Sequence, residues 1–82
     1  MSIEFGEKTA CFIGAVSVEE TEELLEWLCA RPEGTVDLSV CEHLHAADLQ
    51  VLMAAGRRVV AWPEDAALAG WLKNALNFSQ GD

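Results

Sequence analysis

Between Thr9 and Val40 the chain passes from a nearly all-apolar stretch, through an amphipathic helical segment, into a further strand over residues 35–40. This succession constrains the fold more than anything else in the sequence. Two strands separated by a helix cannot form a hairpin, so they pair in parallel through a right-handed crossover. The apolar character of Thr9 to Val16 predicts a strand covered on both faces. Ahead of it, Ile3 and Phe5 alternate with Glu4 and Gly6, the pattern of a half-buried edge strand. Gly6-Glu7-Lys8 then supplies the turn of a hairpin.

Ser17-Val18-Glu19-Glu20 reads as a capping box, with the serine accepting from the backbone three positions on and Glu20 reaching back. Glu19, Glu20, Glu22 and Glu23 crowd the positive end of the helix dipole and Arg31 sits at the negative end. Val18, Thr21, Leu25 and Leu28 mark the inward stripe with Leu24 on its flank, leaving Trp27 outside it beside Glu20, Glu23 and Arg31. Pro32 and Gly34 stop the helix. After the strand at 35–40, Cys41-Glu42-His43-Leu44-His45 forms a link to a short helix, Ala46–Ala55, with Leu49, Leu52 and Met53 inward and Gly56 as terminator. Residues 57–62 make a fourth strand. Pro63 opens the last helix, whose apolar face is Leu68, Trp71, Leu72, Ala75 and Leu76. Residues 77–82 fray, with a disordered tail at about 78–82. The expected fold is α/β, a small mixed β-sheet with helices packed against it in the order β-β-α-β-α-β-α, and 82 residues make a single domain.

Fourteen acidic residues against five basic ones give a net charge of −9. Phosphate backbones and anionic membranes repel such a chain, so nucleic-acid binding and peripheral lipid binding are not expected, and a partner with a basic face is the natural complement. Cys11, Cys29 and Cys41 form no CxxC pair and each sits in an apolar stretch, as small buried hydrophobes do. No apolar run reaches the roughly 18–20 residues of a membrane span, and the amino terminus carries no basic-then-apolar signal. The expected location is the cytoplasm.

The centre of the chain carries a resemblance. Asp37-Leu38-Ser39 ends the third strand, and eight residues after Asp37 His45-Ala46-Ala47-Asp48-Leu49 opens the next helix, followed by Val51-Leu52. In position and spacing these resemble the Asp-Leu-Ser and Asp-Ser-Ser-Gly-Leu motifs of the STAS family, the anti-sigma-factor-antagonist-like domains, and the likeness spans roughly residues 3–76. It implies one STAS-like domain over residues 1–82 and a bacterial protein–protein interaction module. The partner would be a kinase of the anti-sigma type, a transporter ATPase or a chemosensory component. The family's phosphoacceptor serine is Ala46 here, its aspartate is His45 and its helix-opening glycine is Asp48. Alanine has no hydroxyl, so the usual phosphorylation cannot occur and the implied module is held in one state. The family's last strand and helix are also missing, which leaves a sheet edge that a homodimer could complete by self-pairing.

The expected partner-binding surface is His43, His45, Ala46, Ala47 and Asp48, with Trp27 as a further candidate, since exposed tryptophans anchor interfaces. Asp48 supplies a fixed negative charge there. An alternative is a small metal-binding protein. Cys41, His43 and His45 alternate, and in an extended segment such residues point the same way and could share an ion. No catalytic residues and no cofactor are expected. Ser17 and Ser39 lie in no nucleophile elbow, and neither a Walker lysine nor a Rossmann glycine pattern is present.

Overall fold

Two long strands, β2 (Thr9–Val16) and β3 (Thr35–Leu44), run in parallel through the middle of the sheet. The computed structural model describes the backbone of residues 2–80 and the side chains of residues 2–76. On one side of β2 lies β1 (Ile3–Phe5), antiparallel to it, and on the far side of β3 lies β4 (Val59–Ala61), parallel to it. The order β1-β2-β3-β4 is the mixed sheet expected from a hairpin followed by two helical crossovers. The helices are α1 (Thr21–Ala30), α2 (Ala46–Ala55) and α3 (Ala66–Gln80), with a short 3₁₀ turn at Val18–Glu20 before α1. Among the described residues no helix is long and apolar enough to cross a membrane.

Since β2, β3 and β4 are parallel and successive in the sheet, crossovers of the usual hand put α1 and α2 on one face, and Leu72 and Leu76 bring α3 into the same core. That face forms a single core in which Phe12, Val36 and Leu38 meet Leu24, Leu28 and Leu72. The expectation that β2 is covered on both faces is corrected: Ala10, Phe12 and Val16 are buried, whereas Ile13 and Ala15 are exposed. Among the described residues, no helix lies on the other face of the sheet.

β3 continues to Leu44, past the expected end at residue 40. Its register slips against β2 between Cys11 and Ile13 and again between Gly14 and Ala15, so extra residues are inserted twice as bulges. Gly14 takes φ 64 at the second slip, a conformation that glycine adopts without steric cost. The two slips restore the inward phase, so Cys41 and Leu44 are buried while Val40 and His43 face out opposite Ile13 and Ala15. β4 is shorter than expected.

The capping box does not form. The Ser17 hydroxyl makes no cap bond, and Glu20 is buried with its Oε1 accepting from the Ser2 N–H at 2.7 Å. The 3₁₀ turn shifts the phase of α1. Leu24, Trp27 and Leu28 point inward, while Val18 and Leu25 are half exposed. The carbonyl end of α1 is held by Arg57, which donates to Leu28 O, Arg31 O and Gly34 O. α2 spans the residues expected and ends at Gly56, with φ 61. α3 starts three residues after Pro63, where the Asp65 carboxylate accepts from the Ala67 and Leu68 N–H groups at 2.9 and 3.1 Å. Leu72 and Leu76 are buried on α3 as expected, but Trp71 is half exposed. The backbone of α3 is helical to Gln80, and residues 81–82 of the expected tail lie outside the described residues.

Candidate interaction site at the start of the second helix

The end of β3 delivers His45 in an extended conformation to the start of α2. Its Nδ1 accepts from the Ala47 N–H at 3.0 Å, satisfying one of the donors a helix start leaves open. Ala46 is exposed and Ala47 is half-buried. The position expected to hold a phosphoacceptor therefore sits on an open first turn, flanked by the exposed His45 and, two residues further back on β3, the exposed His43. His45, Ala46 and Ala47 are thus gathered at the start of α2, while His43 faces out on the open side of the sheet opposite Ala15.

Asp48 is not part of that surface. It is 0% exposed, which corrects the expectation of a surface charge. Its Oδ1 accepts from the Thr21 hydroxyl at 2.7 Å, and its Oδ2, like Oε2 of Glu20, is buried without a hydrogen-bonding group of the protein beside it among the described residues. Burial pushes the Asp48 carboxyl above its ordinary value, and the nearby Glu20 adds to the shift, while the Thr21 hydrogen bond and His45 oppose it. The bond from Thr21 to Asp48 fastens the first turns of α1 and α2 together beneath the exposed surface.

Trp27 is corrected in the same sense. Its ring is buried against Phe5, with centroids 6.0 Å apart. Its Nε1–H donates to Gly6 O at 3.0 Å, and the Arg31 guanidinium covers its outer face at 5.3 Å. It anchors the β1–β2 turn to α1.

The alternative metal site is not assembled. Cys41 is buried, with its Sγ directed to the His43 carbonyl at 3.5 Å, and burial raises its thiol above the ordinary value. His43 lies across the sheet on the open face, and His45 uses Nδ1 as a cap. Among the described residues no group of three His, Cys, Asp or Glu side chains could hold a metal ion.

Between α1 and α2 runs an apolar groove of about 510 Å³ that the sequence reading does not anticipate. Leu25, Leu28 and Cys29 line one side and Ala47, Val51 and Ala54 the other. Ala47 belongs to both the groove and the first turn of α2, so the two surfaces are continuous. Glu22 and Glu26, each one position beyond Thr21 and Leu25, are exposed along the outer shoulder. The signal for this groove is the composition of α2 itself. Ala-Ala-Asp-Leu-Gln-Val-Leu-Met-Ala-Ala is apolar around nearly its whole circumference, as expected of a helix with more than one covered face.

Comparison with known proteins brings no match: no family model, no curated protein and no solved structure is similar to this chain.

Proposed function

We propose that this chain is a non-enzymatic protein–protein interaction module, STAS-like, acting in a bacterial cytoplasmic regulatory or transport complex. In this reading the alanine at position 46 removes phosphorylation from its control. The observation that carries this reading is the continuity of the open first turn of α2 with the apolar groove between α1 and α2. Together they offer a concave apolar strip ending at exposed backbone, the kind of surface a partner helix fills. The acidic shoulder of Glu22 and Glu26, on a chain of net charge −9, favours a partner whose apolar anchor is flanked by basic residues. By resemblance that partner is a kinase of the anti-sigma type, a transporter ATPase or a chemosensory component. Ala46 fixes the state, since nothing at that position can take up a phosphate, and the buried Asp48 braces the turn from within.

The test is site-specific photo-crosslinking in the bacterial host, with the reactive group placed at position 25 or 46. One and the same basic partner is expected from both positions, lost when Leu25→Glu or Ala46→Arg is combined with the probe at the other site. Different products from the two positions, or products indifferent to these substitutions, would sink the reading.

A further inference from the structure

The side of the molecule opposite the helices is a sheet without a cover. Its rows are set by the strand registers: Thr9 beside Thr35, Glu4 beside Cys11 beside Asp37, Ile13 beside Val40, and Ala15 beside His43. On β4, Val60 points the same way, since Val59 before it packs against the core. Ile13, Val40 and Val60 are 38%, 51% and 52% exposed. Three of the four strands here are parallel, and parallel sheets are found almost only with both faces covered, because their strands are apolar on both. Apolar residues on this face agree with that rule, and no part of the described chain covers them.

Charge selects the occupant. The helical side carries exposed Glu19, Glu22, Glu23 and Glu26, so two copies meeting there would repel strongly. The open sheet face carries Glu4, Asp37 and Glu42 against Arg58, with Glu64 and Asp65 beside Val40 at its far end. Arg58 lies on this face because it alternates with Val59 and its carbonyl accepts from the Val36 N–H. Glu4 and Arg58 sit at opposite edges of this face, Glu4 on β1 and Arg58 at the start of β4. A two-fold axis running along the strands lays the β1 edge of one copy over the β4 edge of the other and brings Glu4 towards the second copy's Arg58. Residue-by-residue self-complementarity of this kind is what a two-fold interface demands. We propose that this uncovered face is where two copies of the chain pack, sheet against sheet, leaving both α1–α2 grooves outward and free. The proposal stands independently of what those grooves bind.

Light scattering on the purified chain at about 100 μM reads the outcome directly. The expected mass is twice the 8.9 kDa of the chain. Val40→Lys and Val60→Lys, each at a half-exposed site, are both expected to return it to the monomer mass with unchanged helical circular dichroism. Val18→Lys, half exposed on the helical side, is expected to leave the dimer intact. A monomeric wild type overturns the proposal, as does a dimer that survives either sheet-face substitution in folded form. If a sheet-face variant does not fold, thiol labelling of the wild type decides. Cys11 at the centre of this face is expected to react faster on dilution below the dimer range while exposed Cys29 keeps its rate. Equal behaviour of the two thiols removes the interface from this face.

Discussion

The Thr21 hydroxyl donates to Oδ1 of Asp48 over 2.7 Å, and this bond joins the first turn of α1 to the first turn of α2. The carboxyl it meets is fully buried and its other oxygen has no such partner. Replacing Thr21 by Val keeps the shape and removes the donor, leaving both oxygens unsatisfied. The expected loss is about 2 kcal/mol, the desolvation cost of a buried acceptor left without its bond. Urea unfolding measures it, and a change below about 0.5 kcal/mol would mean that Asp48 finds another donor.

The raised Asp48 pKa makes a signed prediction. The folded protein holds this proton more tightly than the unfolded chain, because burial opposes the charged form. Its contribution to stability is therefore complete below the ordinary aspartate value and is lost as pH rises through the folded value. Asp48→Asn carries no such charge and still accepts from Thr21. It should be more stable than the wild type at about pH 7, with the gap narrowing by about pH 4.5. Unfolding curves for both proteins at the two pH values test this, and a gap that widens on acidification would reverse the assignment.

Gly14 sits in β2 with φ 64, and a side chain placed there would touch nothing. The cost of Gly14→Ala is then purely conformational, about 1–2 kcal/mol for forcing an L-residue into the left-handed region. Thermal unfolding should register it. An unchanged midpoint would mean that the strand relaxes its second bulge.

Trp27 distinguishes a core residue from a surface anchor. Trp27→Ala should cost about 3–5 kcal/mol, as for other large buried side chains. Trp27→Phe should cost about 1 kcal/mol through loss of the hydrogen bond to Gly6 O. Chemical unfolding of both variants checks this, and a stable Trp27→Ala would return the residue to the surface.

The order of elements was legible because apolar residues change their period from two to three or four at each boundary, and α2 was legible to its ends. The inward face of α1 was not. Reading Ser17 as the cap assumes 3.6 residues per turn from that point, whereas the chain first makes a 3₁₀ turn of three residues per turn. The phase error exchanges Val18 and Leu25 for Leu24 and Trp27. β3 was cut short for a related reason, since its two bulges break the alternation at Val40 and Glu42. At the site, Ala46 and His45 were placed by spacing alone. Asp48 was misplaced because a carboxylate is read as exposed by default, and only the three-dimensional meeting of α1 and α2 supplies the hydroxyl that lets it be buried. The groove left its signal only in the apolar circumference of α2, and the wall that α1 supplies came with the three-dimensional meeting of the two helices.

Arg57 reaches back from the lead-in to β4 to the last carbonyls of α1, a link between residues that lie 26 and 29 apart in sequence. The Arg31 N–H closes the last turn on Trp27 O and Leu28 O, and Arg57 adds a tie from that turn to the far edge of the sheet. Opening of that edge and fraying of α1 therefore become one event rather than two. In a chain this small the far strand acts as a lock on the first helix. Slow-exchanging amides on α1 and β4 should lose protection together, as members of a single cooperative unit.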